Sequence, residues 1–426
     1  MKDLFKSLVV RALIWEAKAT LLRHKPFIIG VTGNLGKTST KDAIFTVMKD
    51  HFYVRRSEKS MNSGFGVPLT ILGEKSGWNN PLKWAIILTR GLFVPFAKEY
   101  PTHLVLEIGA DRPGDIKNIA SWIKPDITVV TQFGQVPVHI EFFKDRDAVI
   151  QEKGYLVEAL RDTGFFIYNK DDHDAEKLLG KTEAKKMSIG IHEDADIHGT
   201  KVKLYGTPIT GTEADVIIDG TSHHIVLPEV AGKSPVYCAL SALAVSRILA
   251  IPLEVACASL RDADKPRGRM RLLPGMNGSV IIDDSYNASP KATEHGLKTL
   301  AEIETSGRKI AVLGDMLELG EYTHDEHYKI GKVAAKSAHK LFTVGIRSRV
   351  TAEGALDEKM SDDVIMECDT SIDAGKELVK ILQEGDVVYV KGSQSMRMER
   401  AIKMILASTH NSASVLVRQE EEWTKR

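Results

Sequence analysis

The chain has 426 residues, 43% apolar and 27% charged, a composition typical of a folded globular protein with two or three domains. It carries 57 basic and 57 acidic residues, so its overall charge gives no indication of nucleic-acid binding. The cysteines Cys238, Cys257 and Cys368 are far apart, without metal-site spacing or a disulfide framework, which predicts buried thiols in a reducing, cytoplasmic compartment.

Residues 1–25 are predicted to form an N-terminal helix. Apolar residues recur there at helical spacing, charged residues interrupt them, and no small-residue cleavage site follows, which argues against a signal peptide. Residues 84–97 are also apolar-rich, but Arg90 and Gly91 interrupt a stretch already too short to span a bilayer. Either segment could lie on a membrane surface. We favour packing on the protein's own core for both.

The stretch Gly30–Thr40 predicts a phosphate-binding loop. It reads GVTGNLGKTST, follows a short apolar run and precedes a predicted helix. Glycines let backbone N–H groups approach an anion, and the helix N-terminus adds positive partial charge. The usual pattern has glycine at the position of Val31, so the local form is Thr-Gly-x-x-Gly-Lys-Thr. The nucleotide-binding residues predicted here are Gly33, Asn34, Gly36, Lys37, Thr38 and Ser39. Lys37 would reach the β- and γ-phosphates, and the Thr38 hydroxyl would bind Mg²⁺.

Three more candidates follow along the chain. Glu107 ends the predicted strand 102–109, where a carboxylate beside a phosphate loop is well placed to hold Mg²⁺. His139 follows the predicted strand 126–131 and is either a surface residue or a metal or phosphate contact. Lys153 lies in the predicted helix 145–160 and by itself reads as a solvated lysine. The loop from Lys59 to Thr70 precedes a helix start.

The remaining pattern predicts two α/β domains. A strand at 164–169 is followed by short alternating β segments from 185 to 228, which predict a small added sheet, and by a helix at 234–249. The charged stretch 262–269 contains proline and glycine and reads as a linker. Beyond it, strands at 280–284, 309–315, 340–345 and 386–391 alternate with helices near 291–303, 326–338, 372–383 and 397–407.

The predicted fold class is therefore α/β. A central P-loop ATPase domain, residues 26–264, has a parallel sheet and the small added β-sheet, and a Rossmann-like C-terminal domain spans residues 265–426. That second domain lacks the dinucleotide glycine fingerprint, which disfavours nicotinamide binding. The tail after His410 is predicted to be mostly exposed. The sequence gives no indication of the oligomeric state.

Several motifs together resemble the Mur ligases, which form amide bonds in bacterial cell-wall precursors with ATP. These are the phosphate loop, Asp283–Pro290 (DDSYNASP), Ala311–Glu321 (AVLGDMLELGE) and Val390–Ser393 (VKGS). The last three are similar to the MurF type, the UDP-N-acetylmuramoyl-tripeptide–D-alanyl-D-alanine ligases. The resemblance runs from about residue 26 to residue 407 in the family's order.

The resemblance implies roles for individual residues. Thr38, Glu107, His139 and Lys153 match the Mg²⁺ site, with Lys153 at the position that some family members carry as a carbamate, an anion able to ligate a hard cation. Lys37, Lys153, His139 and Glu107 would be the catalytic group. Arg269, Asp284, Tyr286 and Asn287 match the part of the second domain that faces ATP. The implied substrate contacts are Asn62, Thr70, Lys391 and Ser393.

The implied substrates are a nucleotide-sugar peptide and a dipeptide, with no nucleic acid. The peptide carboxylate attacks the γ-phosphate of ATP, and the dipeptide amine then attacks the acyl phosphate and releases phosphate. Positioning and charge neutralisation would carry catalysis. Closure of the second domain would keep water from the acyl phosphate.

The sequence departs from the family pattern in three places. Only about 26 residues precede the loop strand, where these enzymes usually have a domain for the uridine diphosphate end of the substrate. Ser234 and Cys238 replace a usual His and Asn, the latter helping to place the adenine side of the nucleotide. Asn62-Ser63 replaces a more usual Asn-Asn.

These departures leave two alternatives beside the leading interpretation of a MurF-type ligase. The first departure means that the acceptor is held differently, that a partner helps to hold it, or that the acceptor is not the usual nucleotide. One alternative is therefore an amide ligase of the same kind with a different acceptor. The other is a nucleotide-binding subunit that has lost ligation. Peripheral membrane contact through the N-terminal helix also remains open.

Overall fold

A computed structural model describes residues 2–58, 61–78, 80–420 and 423 of the chain. The predictions made for Met1, Lys59 and Ser60 lie outside these residues. The first nine strands are β1 (Phe27–Thr32), β2 (Val54–Arg56), β3 (His103–Glu107), β4 (Ile127–Val130), β5 (Phe165–Asn169), β6 (Lys185–Gly190), β7 (Ile197–Tyr205), β8 (Gly211–Ile218) and β9 (Thr221–Pro228). The accompanying helices are α1 (Lys2–His24), α2 (Lys37–Met48), α3 (Gly66–Leu72), α4 (Pro81–Gly91), α5 (Asp115–Ala120), α6 (Arg146–Glu158), α7 (His173–Glu176), α8 (Lys233–Ile248) and α9 (Leu253–Arg261).

These nine strands form one sheet in the order β2-β3-β1-β4-β5-β6-β7-β8-β9. The strands from β2 to β7 are parallel. The central strands β1, β3, β4 and β5 are the near-continuous apolar runs expected of a sheet buried on both faces. In β1, Ile29 pairs with Val105 of β3 on one side and Ile127 of β4 on the other. The chain therefore leaves β1 at a point where the strand order reverses, which is where ligands bind in open α/β sheets.

The β segments predicted between residues 185 and 228 are β6, β7, β8 and β9. β7 joins β6 in parallel, and β8 and β9 follow as antiparallel neighbours. They extend the parallel sheet as its last strands rather than standing as a separate sheet. Helix α8 packs across β6, β7 and β8 and covers this end of the sheet.

The second domain is built on a six-stranded sheet in the order β10-β11-β15-β12-β13-β14. Its strands are β10 (Arg271–Pro274), β11 (Val280–Asp284), β12 (Lys309–Gly314), β13 (Lys340–Val344), β14 (Ile365–Cys368) and β15 (Val387–Lys391). Its helices are α10 (Pro290–Glu302), α11 (Thr323–Ser337), α12 (Arg349–Asp357), α13 (Ser371–Ile381), α14 (Glu399–Ile405) and α15 (Ser412–Val415). Only β10 is antiparallel to its neighbour, so the alternating α/β pattern gives the parallel sheet that it predicts. The predicted domain boundary falls in the loop between α9 and β10 and stays a prediction.

The two apolar segments near the N-terminus bury one face each. Val9 and Leu13 of α1 meet Trp84 and Ile87 of α4 in one cluster. The opposite faces of both helices are exposed, so packing on the protein's own core, the interpretation favoured from the sequence, explains only the buried face of each helix. Within the part of the chain that the structure describes, no helix is both long and apolar enough to cross a membrane.

The prediction of an exposed tail is wrong for its central part. Val415, Leu416 and Val417 are buried in the cluster that fills one side of the second sheet. The tail's apolar run is short and lies outside any long periodic element, so its burial depends on a distant partner that local pattern does not reveal.

Candidate active site

The loop between β1 and α2 is shaped by two glycines. Gly33 has φ 128°, and a Cβ there would lie 2.1 Å from Oγ1 of Thr131. Gly36 is left-handed at φ 79° and immediately precedes α2. Val31, where a glycine is usual, is buried inside β1, so the loop begins after it. The backbone N–H groups of Asn34 and Leu35 donate to the Gln132 carbonyl at 2.9 and 3.0 Å, which fixes the loop against the end of β4.

Lys37 opens helix α2 with its amine held over the loop. Its Nζ donates to the Asn34 carbonyl at 3.1 Å. Burial lowers the pKa of Lys37, the Glu107 carboxylate opposes that shift, and the Arg269 guanidinium adds to it. The Asn34 side-chain amide is buried without a hydrogen-bond partner. A buried amide donor and an ammonium beside a helix N-terminus fit a ligand rich in acceptor oxygens, which is what a polyphosphate offers.

Glu107 is the point at which the predicted residues converge. Its side chain is buried at 1% exposure. Thr38 Oγ1 donates to Oε2 at 2.9 Å, and Asn62 Nδ2 donates to Oε1 at 3.1 Å. Lys41, which the sequence reasoning missed, lies 4.0 Å from Oε2 and donates to the Ser57 carbonyl at 2.7 Å. Its spacing of four residues from Lys37, one helical turn, was the signal available in the sequence.

His139 lies where the two domains meet. Its Nε2 is 3.4 Å from Asp111 Oδ1, and the Glu318 carboxylate of the second domain lies against Nδ1 without the geometry of a hydrogen bond. His139 has φ 70° and Glu318 φ 62°, both unusual for residues with a side chain. Glu318 was not predicted as a site residue; it was part of a resemblance motif only.

The oxygen donors of Thr38 and Glu107 suit a hard cation. Among the described residues, no group of three or more His, Cys, Asp or Glu side chains is arranged to hold a metal. The oxygens of Thr38 and Glu107 fit Mg²⁺, because Mg²⁺ is usually bound by one or two carboxylates together with phosphates and water.

Lys153 is buried in α6 at 3% exposure, so it is not the solvated lysine that the bare sequence indicates. The pKa of Lys153 is lowered to about 7, first by burial and then by the positive charge of Lys37, while the neighbouring Glu152 carboxylate opposes both effects. Glu152 itself accepts backbone N–H groups of Gly114 and Ile116 at 2.9 and 2.7 Å, at the start of α5. A large share of Lys153 side chains is therefore neutral near pH 7.

The second domain contributes a cation to the same place. Arg269 Nη2 donates to Thr38 Oγ1 at 3.0 Å, and its guanidinium lies 4.2 Å from the centre of the Tyr286 ring. Asp284, at the end of β11, accepts from Lys391 Nζ at 2.5 Å and from the Tyr389 hydroxyl at 3.3 Å. Tyr389 was not predicted from the sequence, because a tyrosine inside an apolar strand reads as core.

Lys391 and the chain tail hold the loop that follows β11. Lys391 also donates to the Asn287 carbonyl at 3.0 Å. The tail residue Arg418 donates to the carbonyls of Ser285, at 3.2 Å, and Tyr286, and it pairs with the buried Glu399 at 2.9 Å. The predicted exposed tail thus supports the residues that face Arg269.

A cleft of about 560 Å³ lies between the domains. The predicted residues that line it are Asn34, Gly36, Lys37, Thr38, Ser39, Asn62, Glu107, His139, Arg269, Asp284, Tyr286, Asn287 and Lys391. Its other lining includes apolar side chains and both departures from the family pattern, Ser234 and Cys238. Cys238 Sγ lies 3.8 Å from the Gly36 carbonyl, so the thiol packs directly under the phosphate loop.

Four predicted residues lie outside the lining of this cleft: Gly33, Thr70, Lys153 and Ser393. The hydroxyl of Thr70 donates to the Gly66 carbonyl at 2.9 Å within α3. That of Ser393 accepts the Leu317 N–H at 2.8 Å. Both hydroxyls are engaged by the protein's own backbone, so the roles predicted for these residues as substrate contacts stay predictions.

Comparison with known proteins gives one consistent result. Residues 31–246 match the Mur ligase middle domain, and residues 268–394 match the Mur ligase, glutamate ligase domain. A UDP-N-acetylmuramoyl-tripeptide–D-alanyl-D-alanine ligase from Bacillus subtilis is 29% identical over 405 residues, which cover 93% of this chain and 79% of the relative.

Two solved structures show the same fold. MurF from Acinetobacter baumannii superposes with a TM-score of 0.77 at 21% identity, covering 93% of this chain and 80% of that one. MurF ligase from Thermotoga maritima in complex with ADP superposes with a TM-score of 0.76 at 23% identity, covering 93% and 83%.

Proposed function

The chain belongs to the Mur ligase family, and from this premise we propose that it is an ATP-dependent amide ligase that joins D-alanyl-D-alanine to UDP-N-acetylmuramoyl-tripeptide. The name of the Bacillus subtilis relative supports the choice of substrates. The ADP complex of the Thermotoga maritima structure supports ATP as the nucleotide.

One observation carries the proposal. Arg269 of the second domain reaches the Thr38 hydroxyl of the phosphate loop at 3.0 Å. Lys37 of the first domain and Arg269 of the second therefore lie at the same phosphate loop, so the phosphates of a bound nucleotide would contact cationic groups of both domains. An enzyme that transfers a phosphoryl group relies on such positioning and charge neutralisation.

In this proposal the phosphates of ATP lie against the loop N–H groups, Lys37 and Arg269. Thr38 and Glu107 would hold Mg²⁺, and His139 lies nearby on the domain boundary. Mg²⁺ there supplies charge neutralisation for the phosphates. Asn62 and Lys41 hold the Glu107 carboxylate in place.

The reaction has two chemical steps. The terminal carboxylate of the peptide attacks the γ-phosphorus of ATP, so that an acyl phosphate forms and ADP leaves. The amine of D-alanyl-D-alanine then attacks the acyl carbon, loses a proton, and phosphate leaves as the amide bond forms. His139 meets Glu318 of the second domain beside the site, and closure of the domains there would keep water from the acyl phosphate.

Lys153 has a separate proposed role. A neutral amine reacts with carbon dioxide to give a carbamate anion and a proton, whereas an ammonium does not. The pKa of about 7 makes the neutral amine available near neutral pH. A carbamate on Lys153 would place a negative charge near Lys37, which suits a site for Mg²⁺.

The test is phosphate release from ATP and Mg²⁺ with UDP-N-acetylmuramoyl-tripeptide, with and without D-alanyl-D-alanine, followed by mass analysis of the product. We expect release that requires both substrates and a product with the mass of the pentapeptide. Phosphate release that does not depend on the dipeptide would point to a different amine substrate, and release that requires a different carboxylate would point to a different peptide substrate. ATP binding without release under any combination would contradict ligation.

A further inference from the structure

Exposed apolar side chains are concentrated on one part of the surface. Among the described residues, nine of the twenty large apolar side chains that are exposed lie on α1 or between residues 78 and 96. They are Leu8, Trp15, Leu22, Trp78, Leu82, Ile86, Leu92, Phe93 and Phe96. We call this set the outer apolar face. None of its members lines the cleft between the domains, so the face is separate from the proposed active site.

On α1 the exposed residues form a single stripe. Leu8, Arg11, Trp15, Lys18 and Leu22 are exposed at alternating spacings of three and four, which places them along one side of the helix. The stripe alternates apolar and basic side chains. The opposite side of α1, with Val9 and Leu13, is buried in the cluster shared with α4.

Helix α4 and the short helix Val94–Phe96 continue the face. Leu82 and Ile86 lie opposite the buried Trp84 and Ile87 on α4, and they are 76% and 52% exposed. Beyond the helix end, Phe96 is 81% exposed. Because α1 packs against both α4 and the short helix, the exposed apolar residues of all three belong to one region of the surface.

The charge of this region is predominantly basic. From residue 6 to residue 25 the only acidic residue is Glu16, which is buried at 3% exposure. From residue 75 to residue 98 there is no acidic residue at all. The basic residues in these two stretches are Lys6, Arg11, Lys18, Arg23, Lys25, Lys75, Lys83, Arg90 and Lys98. Within them, Arg90 is 3.9 Å from Glu74, which directly precedes the second stretch, and Lys75 is 3.3 Å from Glu58. The exposed Glu99 directly follows the second stretch.

We propose that the outer apolar face docks on an anionic lipid surface. Aromatic and aliphatic side chains interleaved with Lys and Arg are typical of helices that lie in the membrane interface, where apolar groups enter the acyl boundary and basic groups meet anionic headgroups. A second copy of the chain is a poorer occupant, because two such faces brought together would oppose basic residues with basic residues. The inference goes beyond ligation, because it places the enzyme at the membrane through residues that do not line the cleft between the domains.

The test is co-sedimentation of the full chain with vesicles. One set contains phosphatidylcholine alone, and the other includes about 30 mol% phosphatidylglycerol. We expect binding to the anionic vesicles only, weakened by salt because the attraction is partly electrostatic. Arg11→Glu with Lys18→Glu should weaken binding at least about tenfold. Trp15→Ser with Phe96→Ser should weaken it comparably, since apolar insertion is lost.

Matched controls separate docking from general stickiness. Lys185→Glu with Lys403→Glu changes the same charge at exposed positions elsewhere, and Ile346→Ser with Met366→Ser removes exposed apolar groups elsewhere. These controls should bind vesicles like the unmodified protein, and all variants should keep the same thermal midpoint. Equal binding to both vesicle types, or equal loss in the controls, would overturn the proposal. If the protein forms a dimer in solution that only the outer-face variants disrupt, a second copy of the chain occupies the face and the lipid proposal is overturned.

Discussion

The hydroxyl of Thr38 donates to Oε2 of Glu107 at 2.9 Å, which joins the first turn of α2 to the end of β3. These residues are 69 positions apart in the chain. They meet because β1 and β3 are parallel neighbours, so the loop after β1 and the carboxylate that ends β3 emerge at the same edge of the sheet. The contact also places the proposed cation ligands next to Lys37.

Lys37→Ala should abolish substrate-dependent phosphate release while leaving the protein folded. Lys37 Nζ makes its hydrogen bond to a loop carbonyl, so the fold needs it little, whereas removing a cation from developing phosphate charge costs at least about 10²-fold in kcat. The measurement is phosphate release with both substrates, beside a thermal unfolding curve. Lys49→Ala, at the exposed end of the same helix, is the matched control and should keep ordinary turnover. Ordinary turnover in Lys37→Ala would contradict the mechanism.

Arg269→Ala tests whether the second domain takes part in nucleotide binding. The variant loses the hydrogen bond to Thr38 and the stacking on Tyr286. A hydrogen bond to a charged group is worth about 1.5–3 kcal/mol, so kcat/KM for ATP should fall about tenfold to a hundredfold. Arg261→Ala removes an exposed arginine at the end of α9 and should leave kcat/KM unchanged. If both variants behave alike, Arg269 has no special role.

Lys153→Ala should also lose turnover, and the pH dependence of the unmodified enzyme should reveal why. The folded-state pKa of Lys153 is lowered to about 7, so the amine is neutral above that pH and protonated below it. Carbamate formation, and with it activity, should therefore fall as pH drops through 7. Removal of dissolved carbon dioxide should lower activity in the same way.

The control for Lys153 is Lys144→Ala, which removes an exposed lysine just before the same helix. It should keep full turnover. Partial rescue of Lys153→Ala by formate or acetate would support a missing anion. Turnover in Lys153→Ala equal to that of the Lys144 variant would remove Lys153 from the mechanism.

Much of the site could be predicted because its residues follow short, strongly apolar strands. Glycines after β1 and a carboxylate at the end of β3 are local signals, and parallel pairing brings them together without further information. The same logic predicted the strands of the second sheet that are buried, such as β12 and β15.

The missed parts depend on partners distant in sequence. β14 is a half-exposed edge strand with a weak apolar pattern, and β10 is only four residues long beside a linker. Lys41 reads as a solvated helix residue until Asp42, the Ser57 carbonyl and Glu107 are placed around its amine. Local pattern predicts elements and strand ends, whereas such buried charges are explained only by tertiary contacts.

Glu16→Gln should change how stability depends on pH. Burial raises the pKa of Glu16 to about 7 from 4.5, and its Oε2 has no hydrogen-bond partner. Between these values the folded state binds more protons than the unfolded state, so stability falls as pH rises from about 4.5 to about 7 and then levels off. The variant should lack this loss and be about 1–3 kcal/mol more stable at pH 8.

The measurement is urea unfolding of both proteins from pH 5 to pH 8. Glu302→Gln, an exposed residue at the end of α10, is the control and should run parallel to the unmodified protein. If the stability of Glu16→Gln depends on pH in the same way as that of the unmodified protein, the Glu16 carboxylate is solvated in the folded state, which would contradict its burial between α1 and α4.

Arg418→Met tests whether the tail supports the active site. Arg418 is 6% exposed, pairs with Glu399, and donates to the carbonyls of Ser285 and Tyr286. Glu399 keeps Arg397 Nε at 2.6 Å but loses its second arginine partner, so the variant should lose about 1.5–3 kcal/mol and unfold at lower urea. Because the carbonyls also lose their donors, Tyr286 should hold Arg269 less well, and KM for ATP should rise.

A double variant, Arg418→Met with Glu399→Leu, separates the two effects. It removes both members of the Arg418–Glu399 pair, and Arg397, the other partner of Glu399, keeps its hydrogen bond to the Trp423 carbonyl at 3.1 Å. Much of the stability should therefore return, because apolar replacement of a buried ion pair is often neutral. The carbonyls of Ser285 and Tyr286 still lack their donor, so KM for ATP should stay raised. If KM returns to the ordinary value together with stability, the tail acts on the fold alone. If KM stays raised in a stable protein, the tail positions the loop that faces the nucleotide.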